Sequence, residues 1–325
     1  EIRAGSAFYA AMCAIRLFHD DAEFLANQYL GKYPGHIHVN EARFQLANYF
    51  YAVKKYRSAL EYYRTVDKNK LSKEERAEYF FNKGYCLFMR DDLDDARVAF
   101  FEIKDIHTRY TPPAMYYYSH INYSQHNYQT ALNGFLTLTN DKTFGAIVPY
   151  YITHIYFLQK KYDKVIEFAP GFMDKVTKKR VAEVARIIGE SYFQTGKYAD
   201  AIPYLEKYME KAEYVTREDK YQAAYAYYKS ERYEEAADMF GKLSSGNSLL
   251  CQNALYHLAD CYLKLDQKHD ARMAFSSASK LDHDKGIQED ALFNYAVVTY
   301  ELSYTPFNEA IQALNRYIEK YTLSK

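Results

Sequence analysis

The chain has 325 residues, 49% of them apolar, 18% aromatic and 26% charged, and its 42 basic and 42 acidic side chains cancel to zero formal net charge. That balance argues against a nucleic-acid partner, because neutralising phosphates demands a basic excess. No apolar run approaches the ~20 residues of a membrane helix, and no charged segment followed by an apolar stretch opens the chain as a leader would.

In chain order, the first helix is expected over 4–18, "AGSAFYAAMCAIRLF". It is apolar on most sides, and a helix of that kind is normally buried. Earlier repeats, a second copy of the chain or a partner is therefore expected to pack on it.

From this helix onward three positions recur together. A small residue stands at Ala10, Ala47, Gly84, Ser119, Thr153, Gly189, Ala224, Ala259 and Ala296. Twelve residues later, fourteen in the last case, comes Ala22, Ala59, Ala96, Ala131, Val165, Ala201, Ala236, Ala271 and Ala310. Three before each of these sits His19, Tyr56, Leu93, Tyr128, Tyr162, Tyr198, Tyr233, Lys268 or Phe307. Two antiparallel helices can cross closely only where both present small side chains. The aromatic is expected to open the second helix of each pair and pack back on the first.

The pattern divides 1–325 into one array of repeats at about 3–34, 40–69, 76–109, 112–142, 146–175, 182–213, 217–245, 252–283 and 289–323. The apolar first helix and the early stop after the ninth repeat suggest a piece of a longer chain. Tyr33-Pro34-Gly35, Pro112-Pro113 and Pro149 punctuate the repeats, and Thr305-Pro306 reads as a cap followed by Pro in the first helical position. Pro203 is expected in the first turn of its helix, and Pro170-Gly171 to end the helix before it.

The small/aromatic/alanine triplet resembles the tetratricopeptide repeat family over nearly the whole chain, best in 41–66, 184–208 and 253–278. The resemblance implies an all-α fold, a right-handed α-solenoid of about nine antiparallel helical hairpins with a period of 34–39 residues. Departures are the missing Trp, Val165 for Ala and Lys268 for Tyr. Tyr33-Pro34 and the segment 315–321 are similar to bacterial cell-envelope members of the family, which implies an envelope setting. Pentatricopeptide repeats share the period and read RNA through small polar residues near the fifth helix position. Here that position holds Phe44, Phe81, Tyr116, Tyr150, Arg186, Tyr221 and Tyr256, so RNA reading is disfavoured.

In such a solenoid the first helices line the concave groove. Their fifth, ninth and twelfth positions give a groove of Phe44 and Tyr51, of Phe81, Tyr85 and Phe88, and of Tyr116, His120 and Tyr123. It continues with Tyr150, His154 and Phe157, is interrupted by Arg186 and Glu190, and resumes with Tyr221, Tyr225, Tyr228, Tyr256 and Asp260. The Lys/Asn clamp of the family's chaperone-binding members is absent from these positions. Residues 110–159 hold two charged side chains, Asp141 and Lys142, where the overall composition would place thirteen. Charge depletion with aromatic enrichment marks a contact patch.

The function expected is a protein- or peptide-binding scaffold with its main contact site in repeats three and four. A peptide sensor controlling an appended domain is the alternative, and RNA binding comes third. No catalytic motif is found, and no cofactor or enzymatic activity is expected. Asp91-Asp92, Asp94-Asp95 and Glu234-Glu235 suit helix N-termini. His120 with His154, and His36 with His38, lack the further ligands a metal needs. The four cysteines (Cys13, Cys86, Cys251, Cys261) show neither zinc-site nor disulfide-framework spacing, and read as small hydrophobes.

Overall fold

The computed structural model describes residues 2–302 and 308–321, so the expectations placed on Thr305, Pro306 and Phe307 lie outside the described residues. Two compact units, Glu1–Ile155 and Tyr156–Lys325, each carry a hydrophobic core of their own. The first unit contains α1 (Ile2–Arg16), α2 (Ala22–Lys32), α3 (Val39–Ala52), α4 (Tyr56–Tyr63), α5 (Lys73–Phe88), α6 (Leu93–Phe101), α7 (Thr111–Ser124), α8 (Tyr128–Thr137) and most of α9 (Val148–Leu158). The second contains α10 (Tyr162–Phe168), α11 (Val181–Gln194), α12 (Tyr198–Lys211), α13 (Arg217–Lys229), α14 (Tyr233–Leu243), α15 (Leu249–Lys264), α16 (Lys268–Ala278), α17 (Lys285–Glu301) and α18 (Asn308–Lys320). Consecutive helices pair as hairpins, in keeping with an all-α repeat fold.

The small residues do what the pattern asks of them. Every second anchor, from Ala22 through Val165 to Ala310, is fully buried. Where the first anchor is glycine the helices leave no room for a side chain: a Cβ on Gly84 would stand 3.0 Å from the Phe100 ring, and one on Gly189 2.9 Å from Leu205 Cδ2. Four residues beyond the second anchor a large side chain fills the hairpin: Tyr63, Phe100, Phe135, Leu205, Phe240 or Phe275, all in the core.

From Tyr56 to Lys268, the residue three before each second anchor is the first residue of its helix. Tyr128 packs against Tyr123 at 6.0 Å and Tyr198 against Phe193 at 5.2 Å, both on the preceding helix. Capping boxes start α5 (Ser72 with Glu75) and α13 (Thr216 with Asp219), and the Pro112-Pro113 pair opens α7. These devices satisfy amides that a helix start leaves unpaired. Pro170 ends α10 and begins a 3-10 turn, Pro170–Lys175.

The hairpin turn is a feature the residue pattern does not display. One residue with positive φ, between 51° and 74°, follows each first helix from α1 to α15: Phe18, Lys54, Asp91, His126, Lys160, Gly196, Glu231 and Asp266. From Lys54 onward it stands seven residues after the small anchor and five before the second. Only one of the eight is glycine, so the sequence carries little trace of it.

That spacing corrects three expectations. In the first hairpin the residue seven before the turn is Ala11, which is fully buried, whereas Ala10 is exposed. The Phe18 turn is one residue tighter, so α2 opens at Ala22 and His19 stays in the turn. Pro203 lies beyond the first turn of α12; it is exposed, and the helix runs on to Lys211 without that one donor.

Candidate functional site

The thirteen side chains expected to face a partner (Phe81, Tyr85, Phe88, Tyr116, His120, Tyr123, Tyr150, His154, Phe157, Arg186, Tyr221, Tyr225 and Tyr228) are all half-buried. Such rings present one surface to the fold and another to solvent. Phe44 is the exception among the wider set. It is fully buried and packs 6.5 Å from the Tyr63 ring.

A single contact rule links neighbouring hairpins. The twelfth residue of one first helix meets the ninth of the next. In the first unit Tyr51 meets Tyr85 at 5.8 Å and Phe88 meets His120 at 6.1 Å. Tyr123 hydrogen-bonds His154 through its hydroxyl and Nδ1, 2.8 Å apart. In the second unit Phe193 meets Tyr225 at 5.9 Å, and the Tyr228 hydroxyl donates to Asp260 Oδ2 at 2.6 Å.

Within the first unit this produces a continuous run of rings. Phe81 and Tyr85 lie 6.4 Å apart, Tyr116 and His120 6.1 Å, and Tyr150 stacks on His154 at 6.1 Å. Counted from α1, Tyr150 and His154 stand on the first helix of the fifth hairpin, so the charge-poor stretch reaches beyond hairpins three and four.

Three ring residues extend the run that position counting missed. Tyr117 lies 5.4 Å from Tyr85, and Tyr151 lies 5.6 Å from His120. Both stand one residue past the fifth position, which turns them toward the hairpin interior. Phe144 stacks on Tyr116 at 4.6 Å from the segment between α8 and α9, where no helical period could have marked it.

In the second unit three of the corresponding positions, Arg186, Glu190 and Asp260, carry charge. Arg186 and Glu190 form an ion pair at 3.5 Å. Burial pushes the Glu190 carboxyl upward; Arg186 opposes this and Asp219 adds to it. The Tyr221 hydroxyl is pushed up to about 12 by burial and by neighbouring Tyr225. Burial raises Tyr256, and the carboxylates of Asp290 and Asp260 raise it further. Tyr221 also borders a cleft of about 600 Å³ lined by Arg217, Leu249, Leu250 and Asn253. Phe157, at the start of this unit, meets Tyr162 at 5.9 Å.

The histidines are engaged by rings and side chains. Tyr29 holds His36 at 2.7 Å and Glu41 holds His38 at 3.0 Å. No group of three or more His, Cys, Asp or Glu among the described residues could hold a metal ion. Cys86 and Cys261 are buried, their thiols pushed up to about 12 by desolvation, while Cys13 is exposed on α1. No helix among the described residues is long and apolar enough to cross a membrane.

Residues 44–103 match a family model described as tetratricopeptide repeat, and residues 194–278 match one described as subunit 3 of the anaphase-promoting complex, cyclosome. No curated protein matches the chain. Among solved structures, Naa15/Naa10 bound to HypK-THB is similar at 14% identity and a TM-score of 0.50, covering 88% of this chain and 43% of that one. The C-terminal part of a TPR repeat-containing protein from Cytophaga hutchinsonii aligns at 14% identity over 83% of this chain and 99% of its own, with a TM-score of 0.43. YrrB, described as a TPR protein with an unusual peptide-binding site, aligns at 16% identity over 57% and 91%, with a TM-score of 0.43. By its hairpins and their small anchors the chain has a helical-repeat fold, and over residues 44–103 it matches the tetratricopeptide repeat family.

Proposed function

We propose that the chain is a protein-binding scaffold that holds a segment of another protein against the ring-bearing side of its first helices. The main contact site is assigned to the first unit, in hairpins three and four and onward to Tyr150 and His154 on α9. The observation that carries this reading is the run of half-buried rings from Phe81 to His154, whose part from Tyr116 onward lies in a stretch of the chain almost free of charge. Covering such rings removes apolar area from water at about 25 cal/mol per Å², and no charged group there must be stripped of solvent. Two to four such rings buried at the centre of a contact would dominate its energy.

The test is the Tyr116→Ala, Tyr150→Ala double variant, assayed against the partner recovered with the wild-type chain. Binding should weaken at least tenfold while the far-ultraviolet circular dichroism stays that of a helical protein. Unchanged affinity would overturn the assignment of the contact site.

A further inference from the structure

The second unit carries a site of different chemistry. The Lys229 ammonium lies 5.5 Å from the centre of the Tyr225 ring and 5.9 Å from that of Tyr228, so two ring faces already share one cation. Among the described residues that ammonium pairs with no carboxylate. His257 packs on the same two rings, 5.3 Å from each, and steadies their orientation. An aromatic face attracts a cation through its quadrupole, most strongly where water is partly excluded.

The border of the site is acidic. Asp260 accepts the Tyr228 hydroxyl through Oδ2, and its Oδ1 accepts no hydrogen bond among the described residues. One turn before Asp260 on α15 stands Tyr256, which feels the carboxylates of both Asp260 and Asp290. Neither Asp260 nor Asp290 is paired with a cation among the described residues. Two ring faces thus share a single positive charge, and the Asp260 carboxylate is bonded to one of those rings. That charge sits on an exposed, flexible side chain that can swing away.

We propose that this site binds a lysine or arginine side chain of a partner protein, which displaces Lys229 from Tyr225 and Tyr228 and pairs with Asp260. The proposal rests on the reading of the chain as a protein-binding scaffold and names the chemistry of the segment its second unit takes. Lys229 occupies the rings when no partner is bound.

The test uses three fluorescein-labelled peptides of one length, identical except for a central triplet of arginine, glutamine or glutamate, with binding to the full chain followed by anisotropy. The arginine peptide should bind, and the other two should bind at least tenfold more weakly. Lys229→Ala should tighten the arginine peptide roughly fivefold, since an occupied cation–π site is vacated. Asp260→Asn should weaken it about tenfold. Adding Tyr225→Leu to Lys229→Ala should cancel the gain.

Equal binding of the glutamine peptide would overturn the proposal, and so would an unchanged or weaker affinity in Lys229→Ala. A gain that survives Tyr225→Leu would also overturn it, because relief of charge repulsion alone would then explain the effect. Failure in any of these arms leaves the first-unit contact untouched. Failure of the Tyr116→Ala, Tyr150→Ala test likewise leaves this site standing, because the peptides probe the second unit directly.

Discussion

The two units are built from the same hairpin and spend their tyrosines differently. In the first, tyrosine hydroxyls mostly meet neutral groups: Tyr63 donates to Asn48 at 2.6 Å, Tyr62 to Asn27 at 2.8 Å, and Tyr123 pairs with His154, while Tyr110, which accepts from Arg109 at 2.8 Å, is an exception. In the second they meet carboxylates: Tyr208 donates to Asp219 at 2.8 Å, Tyr228 to Asp260 at 2.6 Å, and Tyr227 to Glu206. Asp219 shows the consequence. Burial would raise it, but the bonds from Thr216 and Tyr208 outweigh that and hold it below the usual carboxylate range. One amphipathic ring thus serves two surfaces, closing an uncharged face in one unit and anchoring fixed negative charge in the other.

The comparison can be broken first at the shared core. Phe100 and Phe240 each stand four residues past a second anchor, one in each unit, and both are fully buried. Phe100→Ala and Phe240→Ala should each cost about 3–5 kcal/mol in chemical denaturation, by lost transfer energy and the cavity left behind. A difference of more than ~2 kcal/mol between them would show that the hairpins are not equivalent.

A smaller effect should separate the units. Tyr228→Phe leaves a carboxylate without its donor and should cost about 1–2 kcal/mol, whereas Tyr123→Phe breaks a neutral bond worth about 0.5–1.5 kcal/mol. Raising salt should shrink the first loss more than the second, because only the first involves a formal charge. Equal losses with equal salt dependence would erase the distinction drawn between the units.

The smallest effects should fall at the turns, alike in both units. Lys54→Gly and Glu231→Gly place glycine where φ is 60° and 61°. Each should stabilise by up to ~1 kcal/mol in thermal melts, as relief of left-handed strain exceeds the entropy glycine gains when unfolded. Gly196→Ala, at φ 74°, should cost a similar amount. A destabilised Lys54→Gly would mean that the lysine side chain supports the turn.

Most of the fold was legible because close packing of antiparallel helices forces small residues to recur at fixed spacing, and that constraint is written one residue at a time. Ala59, Ala96 and Ala236 show it directly: each is fully buried, and each lies three residues after the first residue of its helix. The assignment of Phe44 to the partner-facing side failed because a helical position gives a direction and not the depth of cover above it. Ala10 failed because one residue missing from the Phe18 turn shifts the register of the first hairpin.

By itself the sequence determined the repeat and the starts of the second helices from Tyr56 to Lys268, since both follow from local spacing. Only the tertiary structure decided what each half-buried ring touches. The pairing of Tyr123 with His154, of Tyr228 with Asp260, and the placing of Lys229 over two rings join atoms on different turns or different hairpins. Those contacts depend on how neighbouring helices cross, and no residue's own spacing encodes that geometry.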